Sequence, residues 1–212
     1  MLLCFDYDGV FVDSLDDLLD KACRAQSSIG VGRQPGREDF ETTQNLTFEQ
    51  VGRDIGIPEE RLLEYGLRFF ELQDEDEGFC ELFDGMAEVI RELSAKHTIV
   101  IITSSVKRTV ERALEHYRLL ENISFIFDGT QGGTKSEKIR RAMEEFSAGS
   151  EQTVMIGDCV SDIREGKIAG VKTVAVTWGF QSKELLLSES PDYVAERPSD
   201  LPAILNLSLI HI

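Results

Sequence analysis

Five short runs in this 212-residue chain are apolar almost throughout: Leu2 to Phe5, Thr98 to Ile102, Ile123 to Phe127, Thr153 to Ile156 and Thr173 to Val176. A strand with one face in water alternates polar and apolar side chains, and these runs do not. They therefore predict parallel strands covered on both faces by helices. Helical spacing recurs between them, over Gly85 to Lys96, Val106 to Tyr117, Ser136 to Phe146 and Asp162 to Ala169, with shorter helices expected near Ser182 to Ser188 and Leu201 to Leu205. The alternation predicts an α/β fold built on a doubly wound, mostly parallel sheet.

Residues 14 to 80 interrupt the pattern. Leu15, Leu18, Leu19, Ala22, Cys23 and Ile29 follow helical spacing, Phe48 to Ile55 reads as a second helix, and Pro58 opens a longer one through Leu62, Leu63, Leu67 and Phe70. No strand signal occurs there. The segment reads as an all-helical insertion after the first strand, with the acidic run at 74 to 77 as a solvated linker on its return.

The balance of 22 basic against 39 acidic residues gives a net charge of -17. That excludes nucleic acid or an anionic membrane surface as the main partner, and an anionic substrate would need a locally positive site. No stretch is apolar for long enough to span a membrane, and acids at positions 6 and 8 break the N-terminal apolar run, so no signal peptide is expected. Cys4, Cys23, Cys80 and Cys159 lack CxxC spacing and fit reduced thiols, and a cytoplasmic location is expected.

The stretch FDYDGVFVDS at 5 to 14 places Asp6 and Asp8 at the end of an apolar strand, where ionised carboxylates are costly to desolvate without a partner. Gly9 lets the backbone turn so that both acids can converge. A surface Asx turn is the alternative, whereas an EF-hand loop fits poorly because the twelfth position from Asp6 is Asp17 rather than Glu. Four further stretches lie just past strand ends, where open α/β sheets place ligands. In IITSS, Thr103 and the next amides can hold an oxyanion, or Thr103 can cap the following helix. In GGTKSEK, Thr134 and Glu137 have capping-box spacing and Lys135 falls in the first turn, against the positive end of the helix dipole unless an anion is near. In MIGDCVSD, Asp158 follows a strand and Asp162 enters the next helix, where an acid is stabilising on its own account. In VTWGF, Trp178 reads as packing.

Taken in order, DYDGV at 6 to 10, Thr103, Lys135 and the GDxxxD at 157 to 162 resemble the four motifs of the haloacid dehalogenase-like hydrolase superfamily. The stretch GDCVSDIREGKIAGVKTVAVTWGF is similar to the phosphoglycolate phosphatase-like branch. One departure is Ser136, where many such proteins carry proline. The resemblance implies a Rossmann-like core from residues 1–13 and 81–212, with 14–80 as an inserted helical cap. It also implies a Mg²⁺-dependent phosphatase that forms an aspartyl phosphate on Asp6, with Asp8 carrying protons. Asp6, the Asp8 carbonyl, Asp158 and Asp162 would serve the metal, and Thr103, Ser104 and Lys135 the phosphate. The substrate implied is a small phosphate monoester, phosphoglycolate first. Gln44, Asn45, Thr47 and Arg53 of the insertion are candidates for contacting the leaving group, or are simply solvated. The histidines, His97, His116 and His211, receive no catalytic role.

The presence of Asp8 disfavours a dehalogenase. A phosphonate hydrolase of this fold would want a Schiff-base lysine in the cap, where Lys21 is the one lysine. A sugar-phosphate mutase sharing the four motifs is the alternative activity. A phosphate-binding protein without catalysis and a signalling receiver are the readings of a different class; in a receiver the lysine comes last, whereas Lys135 precedes Asp158.

Overall fold

The structure, a computed structural model, describes residues 1–76 and 78–208. The chain begins with β1 (Leu2–Phe5) and then runs through four helices before any second strand: α1 (Leu15–Ile29), α2 (Glu38–Glu41), α3 (Phe48–Asp54) and α4 (Glu59–Glu75). Regular alternation follows: α5 (Met86–Ser94), β2 (Thr98–Ile102), α6 (Lys107–His116), β3 (Phe125–Phe127), α7 (Lys135–Glu145), β4 (Thr153–Gly157), α8 (Val160–Ala169), β5 (Lys172–Val176), α9 (Lys183–Ser188), β6 (Tyr193–Ala195) and α10 (Leu201–Ser208).

The six strands form one parallel sheet in the order β3-β2-β1-β4-β5-β6, with Leu2 level with both Thr98 and Thr153. Successive residues of β1 serve opposite faces, which explains its lack of polar alternation. Leu3 and Phe5 join Ile90, Val110 and Leu205 in one apolar layer, while Leu2 and Cys4 join Ile139, Ala142 and Met155 in the other.

Two elements escape the sequence pattern. The edge strand β6 is three residues long and half-buried, too short to show a period, and α2 is a single turn. The run expected to begin at Ile123 pairs only from Phe125, because Leu120–Asn122 make a 3₁₀ turn first. Among the described residues no helix is long and apolar enough to cross a membrane.

Helices α1 to α4 enclose an apolar cluster of their own, which includes Leu18, Ala22, Phe40, Val51, Leu62, Tyr65 and Phe69 and extends to Cys159 and Phe180 beyond β4 and β5. The chain enters and leaves this segment side by side: Asp13 N–H donates to Glu81 O at 2.9 Å and Phe83 N–H to Phe11 O at 3.0 Å. Tyr65 is fully buried there, and its hydroxyl has no hydrogen-bond partner among the described residues. Because an unsatisfied buried hydroxyl is worse than a hydrogen, Tyr65→Phe is expected to raise stability by about 1 kcal/mol or more. Urea unfolding measures this, and a lowered midpoint would show that the hydroxyl contributes.

Candidate active site

The sheet reverses its strand order between β1 and β4, and the crevice beyond the strand ends opens at that point. Asp6 follows β1, its N–H donating to Ile156 O at 2.9 Å, while Thr103 follows β2, Asp158 follows β4 and Lys135 opens α7. Gly9 takes the left-handed conformation (φ 73°). That closes a tight loop in which Gly9 N–H donates to Val12 O at 3.0 Å, so Asp8 returns toward the strand ends.

Lys135 is the centre of the charge arrangement. Its Nζ donates to Asp6 Oδ2 and to Asp162 Oδ1, each at 2.6 Å. The cation that faced the wrong end of a helix dipole thus has two anions beside it. Helix α7 is started by the reciprocal bonds of Thr134 and Glu137, so the backbone under Lys135 is fixed. Burial alone would push Lys135 down, but Asp162 and Asp6 outweigh it and hold the ammonium above its ordinary range.

Each acid is shifted the other way. Burial raises Asp6 against the opposing effect of Lys135, and it raises Asp162 to about 6 despite the same ammonium. Asp158 is pushed well above the carboxylate range by burial, then by Asp162 and Asp6. Burial also raises Asp8, against hydrogen bonds from Ser105 and Ser14. Four carboxylates therefore gather around one ammonium, which touches two of them, Asp6 and Asp162.

The donor chemistry of this cluster fits a hard divalent cation. Asp158 and Asp162 are wholly buried, and they and Cys159 offer ligand atoms within 4.8 Å of one another. Burial and the neighbouring acids keep the Cys159 thiol protonated, so oxygen donors remain, as Mg²⁺ prefers. Asp158 Oδ2 accepts from Phe180 N–H at 2.7 Å, and Asp162 Oδ2 from Cys159 N–H at 3.1 Å.

Asp8 is held by hydroxyls that sequence reading overlooked. Ser14 Oγ donates to Asp8 Oδ1 at 2.8 Å and Ser105 Oγ to Asp8 Oδ2 at 2.6 Å, with Thr103 Oγ1 at 3.5 Å from the same oxygen. Thr103 Oγ1 also accepts from Ser105 N–H at 2.9 Å. Three consecutive hydroxyl residues after a strand were the only hint of Ser105, and nothing in the pattern singled out Ser14. Ser136 uses the N–H that proline would lack, donating to Glu165 Oε2 at 2.8 Å and tying α7 to α8. Lys138, also overlooked, is buried and donates to the Asp128 carbonyl at 2.7 Å and the Thr103 carbonyl at 3.3 Å.

The cleft over these groups is lined by Ser104 and by Thr47, the N-cap of α3; Asn45 lines the recess beside it. Gln44 and Arg53 are placed elsewhere. Gln44 accepts from Arg164 through its carbonyl and its side chain, both at 3.2 Å, bracing the helical segment on α8. Arg53 makes a forked pair with Glu59 at 2.8 and 3.0 Å on the exposed surface and lines neither the cleft nor the recess. It is the acid at the start of α4, six residues on, that draws it away. Every other cation of residues 14–76 is also paired: Lys21 with Asp17 and Asp76, Arg33 with Asp39, Arg37 with Asp16, and Arg24, Arg61 and Arg68 with acids of their own helices.

Away from the cleft, Trp178 packs against Phe83 and donates to the Val10 carbonyl at 3.1 Å. His97 sits beside the amino terminus, His116 stacks on Phe79, and His211 lies outside the described residues. The four cysteines are free.

Comparison with known proteins agrees with this geometry. The chain is 30% identical over 210 residues to the pyrophosphatase PpaX of Bacillus mycoides, covering 95% of each. It is 27% identical over 211 residues to a phosphoglycolate phosphatase of Synechococcus elongatus, covering 94% of each. Its fold matches a haloacid dehalogenase-like family hydrolase of Streptococcus pneumoniae with a TM-score of 0.83 at 21% identity, over 96% of this chain and 97% of that one. The family model described as haloacid dehalogenase-like hydrolase matches residues 3–176, and with the acids and lysine of its strand ends gathered at one switch point the chain belongs to that family of hydrolases.

Proposed function

We propose that this protein is a Mg²⁺-dependent phosphatase that hydrolyses a small phosphate monoester through an aspartyl phosphate on Asp6. The observation that carries the reading is the Lys135 ammonium bridging Asp6 and Asp162 beside a hydroxyl-held Asp8. Residues 14–80 act as a cap on a core made of 1–13 and 81–212. The relatives' names support phosphate chemistry and differ in substrate.

In the first step an Asp6 carboxylate oxygen bonds to phosphorus as the ester oxygen leaves, taking a proton from Asp8. In the second, water gives one of its own protons to Asp8 and its oxygen displaces Asp6, releasing inorganic phosphate. Ser14 and Ser105 aim the two Asp8 oxygens. Thr103, the Ser104 amide and Lys135 face the non-bridging oxygens, where negative charge gathers. Asp6, Asp158, Asp162 and the Asp8 carbonyl are the groups that would hold Mg²⁺, which supplies the charge that lets an anionic ester approach anionic side chains.

Phosphate release from an aryl phosphate, with and without Mg²⁺, tests the proposal. Turnover that is absent, or unaffected by chelation, overturns it. The metal also has a readout without catalysis. Asp158 is buried among like charges, so Asp158→Asn is expected to raise the melting temperature of metal-free protein. The wild type should gain about 5–10 °C at Mg²⁺ a hundredfold above Kd, and the variant should gain nothing. Equal gains in both proteins would remove Asp158 from the metal site.

A further inference from the structure

The wall that faces Asp6 across the cleft carries no charge. Leu18, Phe40, Leu46, Phe48 and Val51 come from the helical segment, and Phe180 from the loop after β5. Phe48 is fixed by stacking on Phe69, 3.9 Å between ring centroids, and by an edge contact to Phe70 at 5.0 Å. The only polar side chain that α3 and its cap residue bring to this wall is Thr47, whose hydroxyl accepts from Gln50 N–H at 3.2 Å. None of the seven cations between residues 14 and 80 lines the cleft or the recess beside it, and each is committed to an acid. Lys135 and Lys138, which do line them, belong to the core and are bound to Asp6 and Asp162 and to backbone carbonyls. Arg164, which reaches Gln44 of the helical segment, lines neither and is held by Glu189 at 2.6 Å.

On the phosphatase reading, we infer that the leaving group this site takes is uncharged and apolar where it meets the cap. The substrate class is then an alkyl or aryl phosphate monoester, in preference to carboxylate-bearing phosphoglycolate or to pyrophosphate. A second anion pressed against Leu46 and Phe48 loses its water without gaining a partner: across the cleft stand Asp6 and Asp8, which repel it, and Lys135, whose ammonium is already held by Asp6 and Asp162. An apolar group in the same place removes its own surface and that of the wall from water. A pocket selects by charge in this way because the unpaired group is penalised, not because the right one is bound tightly.

The test compares propyl phosphate with phosphoglycolate, which differ by an ethyl group in place of a carboxylate, alongside phenyl phosphate and pyrophosphate, all with Mg²⁺. The expected kcat/KM for propyl phosphate exceeds that for phosphoglycolate by about tenfold or more, and phenyl phosphate exceeds pyrophosphate likewise. Leu46 is half-buried at the rim, so Leu46→Arg should supply the missing cation and shrink the propyl-to-glycolate ratio by about tenfold. The wild-type comparison decides without the variant. Phosphoglycolate or pyrophosphate turned over as well as the uncharged esters would overturn the inference and leave the phosphatase reading standing. Inertness of all four would overturn the phosphatase reading, and this inference with it.

Discussion

Asp6→Asn is expected to reduce turnover by on the order of 10⁴-fold or more while the protein remains folded. An amide nitrogen is no nucleophile toward phosphorus, and the amide oxygen is a poor one. The geometry adds a second loss. Asp6 Oδ1 accepts from Tyr7 N–H at 2.8 Å and Oδ2 accepts from Lys135 at 2.6 Å, so an asparagine must turn its NH₂ toward one of two donors. The fold survives because Asp6 is raised by burial against the pull of Lys135, which keeps Asp162 as a partner at 2.6 Å, and neutralising Asp6 also relieves its repulsion with Asp8. Acid-quenched wild-type protein, mixed with labelled substrate, should carry phosphate on an aspartate. The variant should carry none. Turnover within tenfold of wild type would show that another group attacks.

The site was partly legible because its main groups follow strands directly. A strand end fixes where the next residue stands, so Asp6, Thr103 and Asp158 could be placed once the apolar runs were recognised, and GGTKSEK located Lys135 by its capping spacing. Ser14 and Ser105 were not legible. Each acts on a residue six or 97 positions away, and a hydroxyl carries no sign that its partner is a carboxylate rather than its own helix. The same limit governed the insertion. Its helices show in the period of Leu15, Leu18 and Ala22, but which polar residue turns inward depends on local pairing. Arg53 looked available until Glu59 claimed it, while Leu46, which no pattern singled out, and Phe48, read only as the start of a helix, help form the wall of the cleft. The edge strand β6 was missed because three residues cannot display an alternation.

Gly9→Ala is expected to cost at least about 100-fold in kcat/KM, although glycine and alanine differ by one methyl group. A Cβ built at Gly9 falls 2.1 Å from Asp158 Oδ2 and 3.1 Å from the Phe180 ring. The backbone there has φ 73°, which alanine adopts only under strain. Asp158 has little room to retreat: its Oδ2 is held by Phe180 N–H, and a Cβ at Gly179 would likewise fall 2.4 Å from the Asp158 side chain. Two glycines thus press backbone against one buried carboxylate, and the methyl can be admitted only by moving Asp158 or by opening the loop that carries Asp8. Either motion separates groups that must act together, and a displacement of about 1 Å is enough for a loss of this size. The Mg²⁺-dependent rise in melting temperature should shrink in parallel, because the carboxylate displaced is a metal ligand in the proposed site. A Gly9→Ala enzyme with full activity and an undiminished response to Mg²⁺ would show that Asp158 has freedom this packing denies it.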